Sequence, residues 1–259
     1  MTGLFDLTDK VALITGSSRG IGRAIALRMA EHGARVVISS RKMDACDAVA
    51  REINAEHPGH AIAVRANISS KEDLAQLVAE TRNAFGKIDV LVSNAASNPY
   101  FGPMAGISDE VFRKTLDSNL LSTHWLVSMV AAEMIERREG SVIIVSSVGG
   151  LRGSKKLGVY NITKAADIQL ARNLAVELGP HNIRTNCIAP GLVRTNFSRA
   201  LWDDQENLAG ALSVIPLGRI AEADDIAGAA LFLASAAGRY VNGETIVVDG
   251  GLTVAAAGI

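Results

Sequence analysis

Short runs of apolar, mostly β-branched residues recur along the chain. They span Val11 to Thr15, Arg35 to Ser39, Ala61 to Arg65, Ile88 to Val92, Ser141 to Ser146, Ile183 to Ile188 and Thr245 to Val248. Their apolarity is continuous rather than alternating, as in strands covered on both faces. Between them lie longer stretches with helical spacing, at Ile21 to His32, Asp44 to Glu56, Lys71 to Phe85, Asp109 to Arg138, Tyr160 to Leu178 and Ala223 to Ala234. Strand and helix alternate almost to the end. This predicts an α/β fold: a doubly wound parallel β-sheet of about seven strands, flanked by helices through right-handed crossovers. No Pro/Ser-rich linker, low-complexity tract or repeat interrupts it, so residues 1–259 read as a single domain. The segment 194–216 is less periodic and contains Phe197, Leu201 and Trp202. It reads either as a substrate lid of short helices or as ordinary surface structure.

Composition narrows the function classes. Hydrophobic residues make up 48% of the chain, enough to cover both faces of a buried sheet. The net charge is -1, from 26 basic and 27 acidic residues, and offers no basic surplus for nucleic acid or an anionic membrane. No run approaches the roughly 18 apolar residues of a membrane helix, and the N-terminus lacks the pattern of a signal peptide. Cys46 and Cys187 belong to no CxxC or Cys/His cluster. Neither a metal site nor a disulfide framework is expected, and reduced thiols in a cytoplasmic setting are. The final residues, Ala255 to Ile259, do not form a peroxisomal address.

The first strand runs into Thr15-Gly16-Ser17-Ser18-Arg19-Gly20-Ile21-Gly22 and then a helix. A phosphate requires close backbone approach and free N–H donors. Glycines at a strand-to-helix turn provide both, and the helix N-terminus adds a favourable dipole. The spacing is G-x3-G-x-G, placed where a Rossmann-like fold binds a dinucleotide. NAD sites put an Asp or Glu at the end of the second strand, against the ribose 2′-hydroxyl. Here Ser39-Ser40-Arg41-Lys42 stands there instead. Ser40 can donate to a 2′-phosphate, and Arg41 can form a charge-assisted bond to it, with Arg19 within possible reach. NADP(H) is therefore the expected cofactor.

Tyr160 and Lys164 are four residues apart in a helix and share a face. A free tyrosine ionises near pH 10, too high for acid–base work at neutrality, and a neighbouring ammonium favours tyrosinate. At about 4 Å and an effective dielectric of about 20, the gross Coulomb attraction is about 4 kcal/mol. A lone YxxxK is common. Its place in the order glycine loop, Asn94, Asn119, Ser147, Tyr160, Lys164, Pro190-Gly191 is not.

On these residues the chain resembles the short-chain dehydrogenases/reductases, in their single-domain branch, over nearly its full length. Thr15 to Gly22 matches their TGxxxGxG loop, Asn94-Ala95-Ala96 their segment after the fourth strand, and Pro190 to Thr195 their PGxxxT segment. Ala96 replaces a usual Gly, and Asn67 a usual adenine-contacting Asp. Asn67 keeps an acceptor, so binding is expected to survive. Ser147 stands thirteen residues before Tyr160, and the resemblance, not the spacing, selects it over Ser146. Further stretches, Ser39 to Lys42, Val92 to Ala96 with Asn98-Pro99, Phe197-Ser198-Arg199 and Leu201-Trp202, are similar to the NADP(H)-dependent carbonyl/retinal reductases of the peroxisomal type.

The resemblance implies a catalytic set of Asn119, Ser147, Tyr160 and Lys164, with Asn119 holding a water of the proton relay. It implies cofactor contacts from Gly16, Ser18, Arg19, Gly20, Ile21, Gly22, Ser40, Arg41, Asn67, Ile68, Asn94, Ala95, Ala96, Tyr160, Lys164, Pro190, Gly191, Val193 and Thr195. Of these, the backbone near Val193 and the Thr195 hydroxyl would hold the nicotinamide carboxamide. The implied reaction moves hydride between nicotinamide and a ketone or aldehyde, with Tyr160 as acid and base. The candidate pocket, Ala96, Asn98, Tyr100, Leu151, Phe197, Leu201 and Trp202, is largely apolar and favours hydrophobic small-molecule carbonyls or alcohols.

Arg152, Lys155 and Lys156 read as solvated loop charges, or as an entrance for an anion. A 3-oxoacyl-carrier-protein reductase and an NAD-linked sugar or polyol dehydrogenase are the alternatives within the class. Outside it are a sugar-nucleotide epimerase and a non-catalytic nucleotide sensor. The first is expected to be longer, and the second to lack one of Ser147, Tyr160 or Lys164. The resemblance also implies a homotetramer. Two helices carry apolar and small residues on more than one face, among them Leu121, Trp125, Met129 and Ala132 on one and Ala165, Ala166, Ala171 and Ala175 on the other. One stripe can pack on the sheet, and the surplus favours a neighbouring subunit as cover. The strand before Asp249-Gly250-Gly251 and the tail Leu252 to Ile259 are candidates for a second interface.

Overall fold

The computed structural model describes residues 3–255, apart from the side chains of Ala200, Glu206 and Asn207. Seven parallel strands form one sheet: β1 (Val11–Thr15), β2 (Arg35–Ser40), β3 (Ala61–Arg65), β4 (Val90–Ser93), β5 (Gly140–Val145), β6 (Ile183–Pro190) and β7 (Thr245–Val248). Their spatial order is β3-β2-β1-β4-β5-β6-β7. This is the expected doubly wound, single-domain α/β architecture. The order reverses between β1 and β4, where no crossover helix covers the strand ends and a crevice opens.

Alternation along each strand sends side chains to opposite faces, and both faces are dry. Ala12, Ile14, Val36, Ile38, Val92, Ile143 and Ile188 pack on one side. They meet Ile25 and Met29 of α1 (Gly20–Glu31) and Ile226 and Leu233 of α8 (Ala223–Ala234), while α2 (Met43–Glu56) adds Val49 and Ile53. Leu13, Val37, Leu91, Val142 and Ile144 pack on the other. They meet α3 (Lys71–Phe85), α5 (Ser122–Arg137) and α6 (Gly158–Leu178). A smaller cluster of Val148, Ile215, Ile220 and Leu252, with Trp202 and Leu212 against it, lies under the segment 194–216. That segment contains a 3-10 turn at Arg199–Leu201 and α7 (Gln205–Leu212).

Local chemistry ends the helices where the pattern broke. The Ser70 hydroxyl accepts from the Asp73 N–H at the start of α3, and Gly86 closes that helix in the left-handed region. Glu222 and Asp225 form a reciprocal capping box on α8.

The single helix expected from Asp109 to Arg138 is instead three pieces. α4 (Asp109–Leu116) passes into a π-helical turn, Asp117–Leu121, before α5 begins. Apolar periodicity persists through such a turn, so the sequence pattern does not register the extra residue it inserts. Within it, Ser118 and Ser122 donate to the carbonyls of Lys114 and Ser118, at 2.8 Å each. These bonds offer the backbone an alternative to the regular ladder.

Asp89, 2% exposed, fastens the lower end of the sheet. Its Oδ2 accepts from the Val11 N–H at 2.9 Å and lies 3.0 Å from Lys87 Nζ, and its Oδ1 is 3.6 Å from Arg137 Nη2. It thereby joins β1, β4 and α5. Removing it leaves the Val11 N–H without its acceptor and Lys87 without its carboxylate, while Arg137 keeps Glu133 and the Ile88 carbonyl. Asp89→Ala is expected to lower the unfolding free energy by about 3 kcal/mol in urea titration, with an unchanged denaturant slope. A loss below about 1 kcal/mol would show that solvent replaces the carboxylate there.

Candidate active site

The crevice is built from the ends of β1 and β4. Beyond the last ladder pair, Thr15 Oγ1 accepts from the Asn94 and Ala95 N–H groups at 3.0 and 3.1 Å. Asn94 Nδ2 donates to the carbonyls of Thr15 and Gly16, at 2.9 and 3.3 Å. This clamp explains the glycines. Gly16 has a φ of 67°, and a Cβ on Gly22 would stand 2.6 Å from both Asn94 Nδ2 and the Gly16 carbonyl oxygen. Gly20, with a φ of 56°, faces Thr195, whose Cγ2 would lie 3.3 Å from a Cβ there. The segment after β6 therefore closes over the loop.

Ser17, fully buried, ties the loop to β2. Its hydroxyl donates to the Ile14 carbonyl at 2.7 Å and accepts from the Ser39 N–H at 2.8 Å. Sequence reasoning passed over Ser17, because a serine inside a glycine loop carries no signal of which neighbour it will bond.

The residues present fit a dinucleotide. α1 starts at Gly20 with no side-chain cap, unlike α3, α4 and α8. The Gly20, Ile21 and Gly22 N–H groups take no partner among the described residues and stand as donors at a positive helix end. The Val193 N–H takes no partner among the described residues, while its carbonyl accepts from the Ser198 hydroxyl. Thr195 Oγ1 lies 3.1 Å from the same hydroxyl. Ser40 ends β2, and its Oγ accepts from the Lys42 N–H at 3.2 Å. Arg41 and Lys42 are exposed beside it, Arg19 is exposed on the glycine loop, and none of the three makes an ion pair among the described residues.

Asn67 differs from expectation. Its Oδ1 accepts from the Ser69 N–H at 3.2 Å, closing the turn after β3. Its amide N–H2, not its acceptor, is the group without a protein partner among the described residues. Ile68 beside it is half-buried, as are Ala95 and Ala96. Pro190 ends β6, and Gly191 packs so tightly on Asp249 that a Cβ would lie 2.8 Å from its Cα.

Tyr160 and Lys164 stand on the inner face of α6. Lys164 Nζ lies 5.8 Å from the centroid of the Tyr160 ring. Ser147 follows β5. Its Oγ accepts from the Gly149 N–H at 3.0 Å, and its own proton has no acceptor among the described residues. Ser146, in contrast, is buried and donates to the Lys164 carbonyl at 2.7 Å. The two serines are thus distinguished by geometry, as spacing alone could not do.

Asn119 sits in the π-helical turn, 1% exposed. Its side chain accepts from the Ser97 N–H at 2.7 Å and donates to the Ser97 carbonyl at 2.9 Å and to Thr163 Oγ1 at 3.1 Å. That side chain brackets the loop after β4 to α6 and has no donor left for a water. Any role in a relay falls to its backbone carbonyl. Ser97 and Thr163 were not singled out from sequence.

A further residue escaped sequence reasoning. Asp167, fully buried, holds Lys164 Nζ through Oδ2 at 2.9 Å, while the Val145 carbonyl accepts from the same ammonium at 2.9 Å. Burial opposes the Lys164 charge, but the Asp167 carboxylate, Tyr160 and the hydrogen bond outweigh it and hold the ammonium above the ordinary lysine range. Burial pushes the Asp167 carboxyl up, with the ammonium opposing.

Over this site lies Phe197, 54% exposed, with its ring 5.9 Å from that of Tyr160. Trp202 instead turns into the small cluster beneath, donating from Nε1 to Ser198 Oγ at 3.1 Å. Leu151, after the turn Val148–Gly150, and Leu201, within the segment, are exposed. Among the described residues no His, Cys, Asp and Glu group is arranged to hold a metal.

A dinucleotide crevice with a tyrosine and a buried lysine at its floor defines an oxidoreductase class, and the chain belongs to the short-chain dehydrogenase/reductase family. The family model described as enoyl-(acyl carrier protein) reductase matches residues 16–253. Dehydrogenase/reductase SDR family member 4 of Homo sapiens is 43% identical over 251 residues, 97% of this chain and 90% of that protein. Two solved structures show the same architecture. A gluconate 5-dehydrogenase from Burkholderia cenocepacia J2315, in complex with NADP and tartrate, is 33% identical with a TM-score of 0.92 and 98% of each chain covered. A 7α-hydroxysteroid dehydrogenase complexed with NADH and 7-oxo glycochenodeoxycholic acid is 35% identical with a TM-score of 0.92 and 96% of each chain covered.

Gly22→Ala tests the clamp. The added methyl must displace Asn94 or the Gly16 carbonyl, so nicotinamide dinucleotide affinity is expected to fall about tenfold or more in fluorescence titration, with circular dichroism unchanged. Undiminished affinity would mean that the loop accommodates a Cβ.

Proposed function

We propose that the protein is an NADP(H)-dependent oxidoreductase that interconverts a ketone or aldehyde and its alcohol, with Tyr160 as acid and base. The observation that carries this reading is the buried Lys164 ammonium beside Tyr160, with the Ser147 hydroxyl at the end of β5, its proton without an acceptor among the described residues. The exposed Arg41 and Lys42 beside Ser40, with no carboxylate at that strand end, support a cofactor bearing a 2′-phosphate.

The cofactor would lie on the glycine loop and the α1 N-terminus, with its carboxamide toward the Val193 N–H and Thr195 and its nicotinamide ribose toward Lys164. When bound, it supplies or accepts the hydride. Ser147 and Tyr160 then hold the substrate oxygen by their hydroxyls. As charge develops on that oxygen, Tyr160 gives it a proton, and the Lys164 ammonium stabilises the tyrosinate left behind. The Asn119 carbonyl would hold the water through which Lys164 returns the proton. Oxidation runs the same steps in reverse. Phe197, Leu151 and Leu201 favour substrates with an apolar body.

The reading extends to assembly and setting. Ala171 and Ala175 are core residues, not surface ones. Trp125 and Met129 also pack against the core, and Leu121 and Ala166 line a groove of about 480 Å³, with Leu116, Leu120 and His124 on one side and Leu170 and Asn173 on the other. A second copy packed there by twofold symmetry, with another interface along β7, would make a homotetramer. Val247 and Val254 are exposed beside β7, and residues 256–259 lie outside the described ones. Cys46 and Cys187 are buried and unpaired, which supports a reducing, cytoplasmic setting. Among the described residues no helix is long and apolar enough to cross a membrane.

A panel of ketones, aldehydes and 3-oxoacyl thioesters, run with NADPH and NADH in parallel, tests the reaction. We expect at least about tenfold higher kcat/KM with NADPH, about 1.4 kcal/mol, reversed by Ser40→Asp with Arg41→Ala. Equal rates with NADH would refute the cofactor assignment. Tyr160→Phe should abolish turnover while NADPH still binds, and retention of more than about a tenth of native kcat would refute Tyr160 as the acid. Light scattering at micromolar concentration should give four times the 27.2 kDa chain mass. A single-chain mass would rule out the assembly.

A further inference from the structure

The Lys164–Asp167 pair is not explained by stability. Both residues are buried, and Asp167 Oδ1 has no hydrogen-bond partner among the described residues. A buried ion pair recovers its desolvation cost only when its remaining lone pairs are satisfied. With one carboxylate oxygen orphaned, a leucine of similar volume on this face of α6 would serve the fold as well or better. Nor is a carboxylate needed to seat the lysine, because the Val145 carbonyl already accepts from Nζ. What Asp167 adds is negative charge, 2.9 Å from the ammonium beside Tyr160.

That charge acts on two protons at once. It stabilises the ammonium, so Lys164 keeps its proton. It also offsets the ammonium's field at the phenol. We propose that Asp167 is a positioning residue, the buried counter-ion that keeps the Tyr160–Lys164 couple in its proton-donating form, tyrosine neutral and lysine charged, and so poises the site for carbonyl reduction. This rests on the assignment of Tyr160 and Lys164 made above.

The surroundings leave few other sources of such a field. β6 contributes Cys187, a buried thiol pushed up by burial and then by Asp167. β5 contributes only the Val145 carbonyl and Ser146, and the turn Val148–Gly150 carries no titratable side chain. Lys114 of α4, Asp117 of the π-helical turn and Arg172 of α6 itself are exposed, and His181 lies beyond the far end of α6.

The test is the pH dependence of kcat/KM for carbonyl reduction in the native enzyme and in Asp167→Asn. The reactive form holds both protons, and loss of either ends donation. Without the carboxylate the first proton leaves at lower pH, whichever group gives it. The alkaline limb is therefore expected to move down by about one pH unit or more, and Asp167→Glu should restore it. A readout free of turnover is potentiometric difference titration of the cofactor-free proteins in a Cys187→Ala background, which removes the thiol from the count. There the Asn variant should release its proton earlier above neutrality.

An unchanged limb with unchanged proton release would overturn the proposal, even if the variant melted lower, since a structural role moves the melting temperature alone. Retained activity in Tyr160→Phe would instead sink the reading beneath it, and the titration would still report on Asp167. If Asp167→Asn does not fold, Asp167→Leu takes its place in both measurements. If neither neutral variant folds, Asp167 serves stability and the proposal falls.

Discussion

The Asn94 side chain holds together the one place where the sheet reverses its order. At that point β1 and β4 end side by side with no helix above them, and their last backbone groups would otherwise face solvent or each other. Thr15 and Asn94 satisfy those groups within the protein. The result is a rigid crevice floor rather than a frayed pair of strand ends. The close approach of the Asn94 amide leaves no room for side chains on the loop, and the glycines follow from that. Those same glycines expose the first N–H groups of α1 to a ligand. Sheet topology, loop composition and phosphate affinity are therefore one constraint seen at three scales.

A second constraint is electrostatic. An ammonium placed in a dry core must be neutralised or lose its proton. The chain keeps Lys164 charged with a carboxylate and a carbonyl, both drawn from elements that pack for apolar reasons: α6 against β5 and β6. Holding α6 in register is then as important as the lysine itself. Asn119 does this from the π-helical turn by bonding Ser97 and Thr163. A regular helix would offer the same residue in a different rotation, which gives the irregular turn a physical reason.

Fold alone leaves the choice of dinucleotide and substrate open. That choice is made by a few side chains at the crevice rim, Ser40 and Arg41 on the adenosine side and Phe197 with its neighbours over Tyr160. The rim residues lie on loops, where side chains change without disturbing the sheet. The segment 194–216 shows this division within itself. Trp202 anchors it to a small apolar cluster, while Phe197 stays exposed toward the tyrosine.

The sequence by itself determined the strands, their parallel winding and the positions of the glycine loop, Tyr160 and Lys164. Each is written in local pattern: continuous β-branched runs for buried strands, helical spacing for the Tyr/Lys pair, glycine where backbone must approach a ligand. Tertiary structure alone decided the rest, because it depends on which groups meet across long sequence separations. The break in the helix from Asp109 to Arg138 was invisible, since apolar periodicity runs through it. Ser146 and Ser147 are equivalent in sequence, and become different only when the Lys164 carbonyl reaches one of them. The small residues of α6 left open which stripe the sheet would cover, and packing put Ala171 and Ala175 in the core. Asp167 read as one more polar position on α6. Only the packing of α6 on β5 and β6 turned it inward, where the fully buried carboxylate meets the Lys164 ammonium.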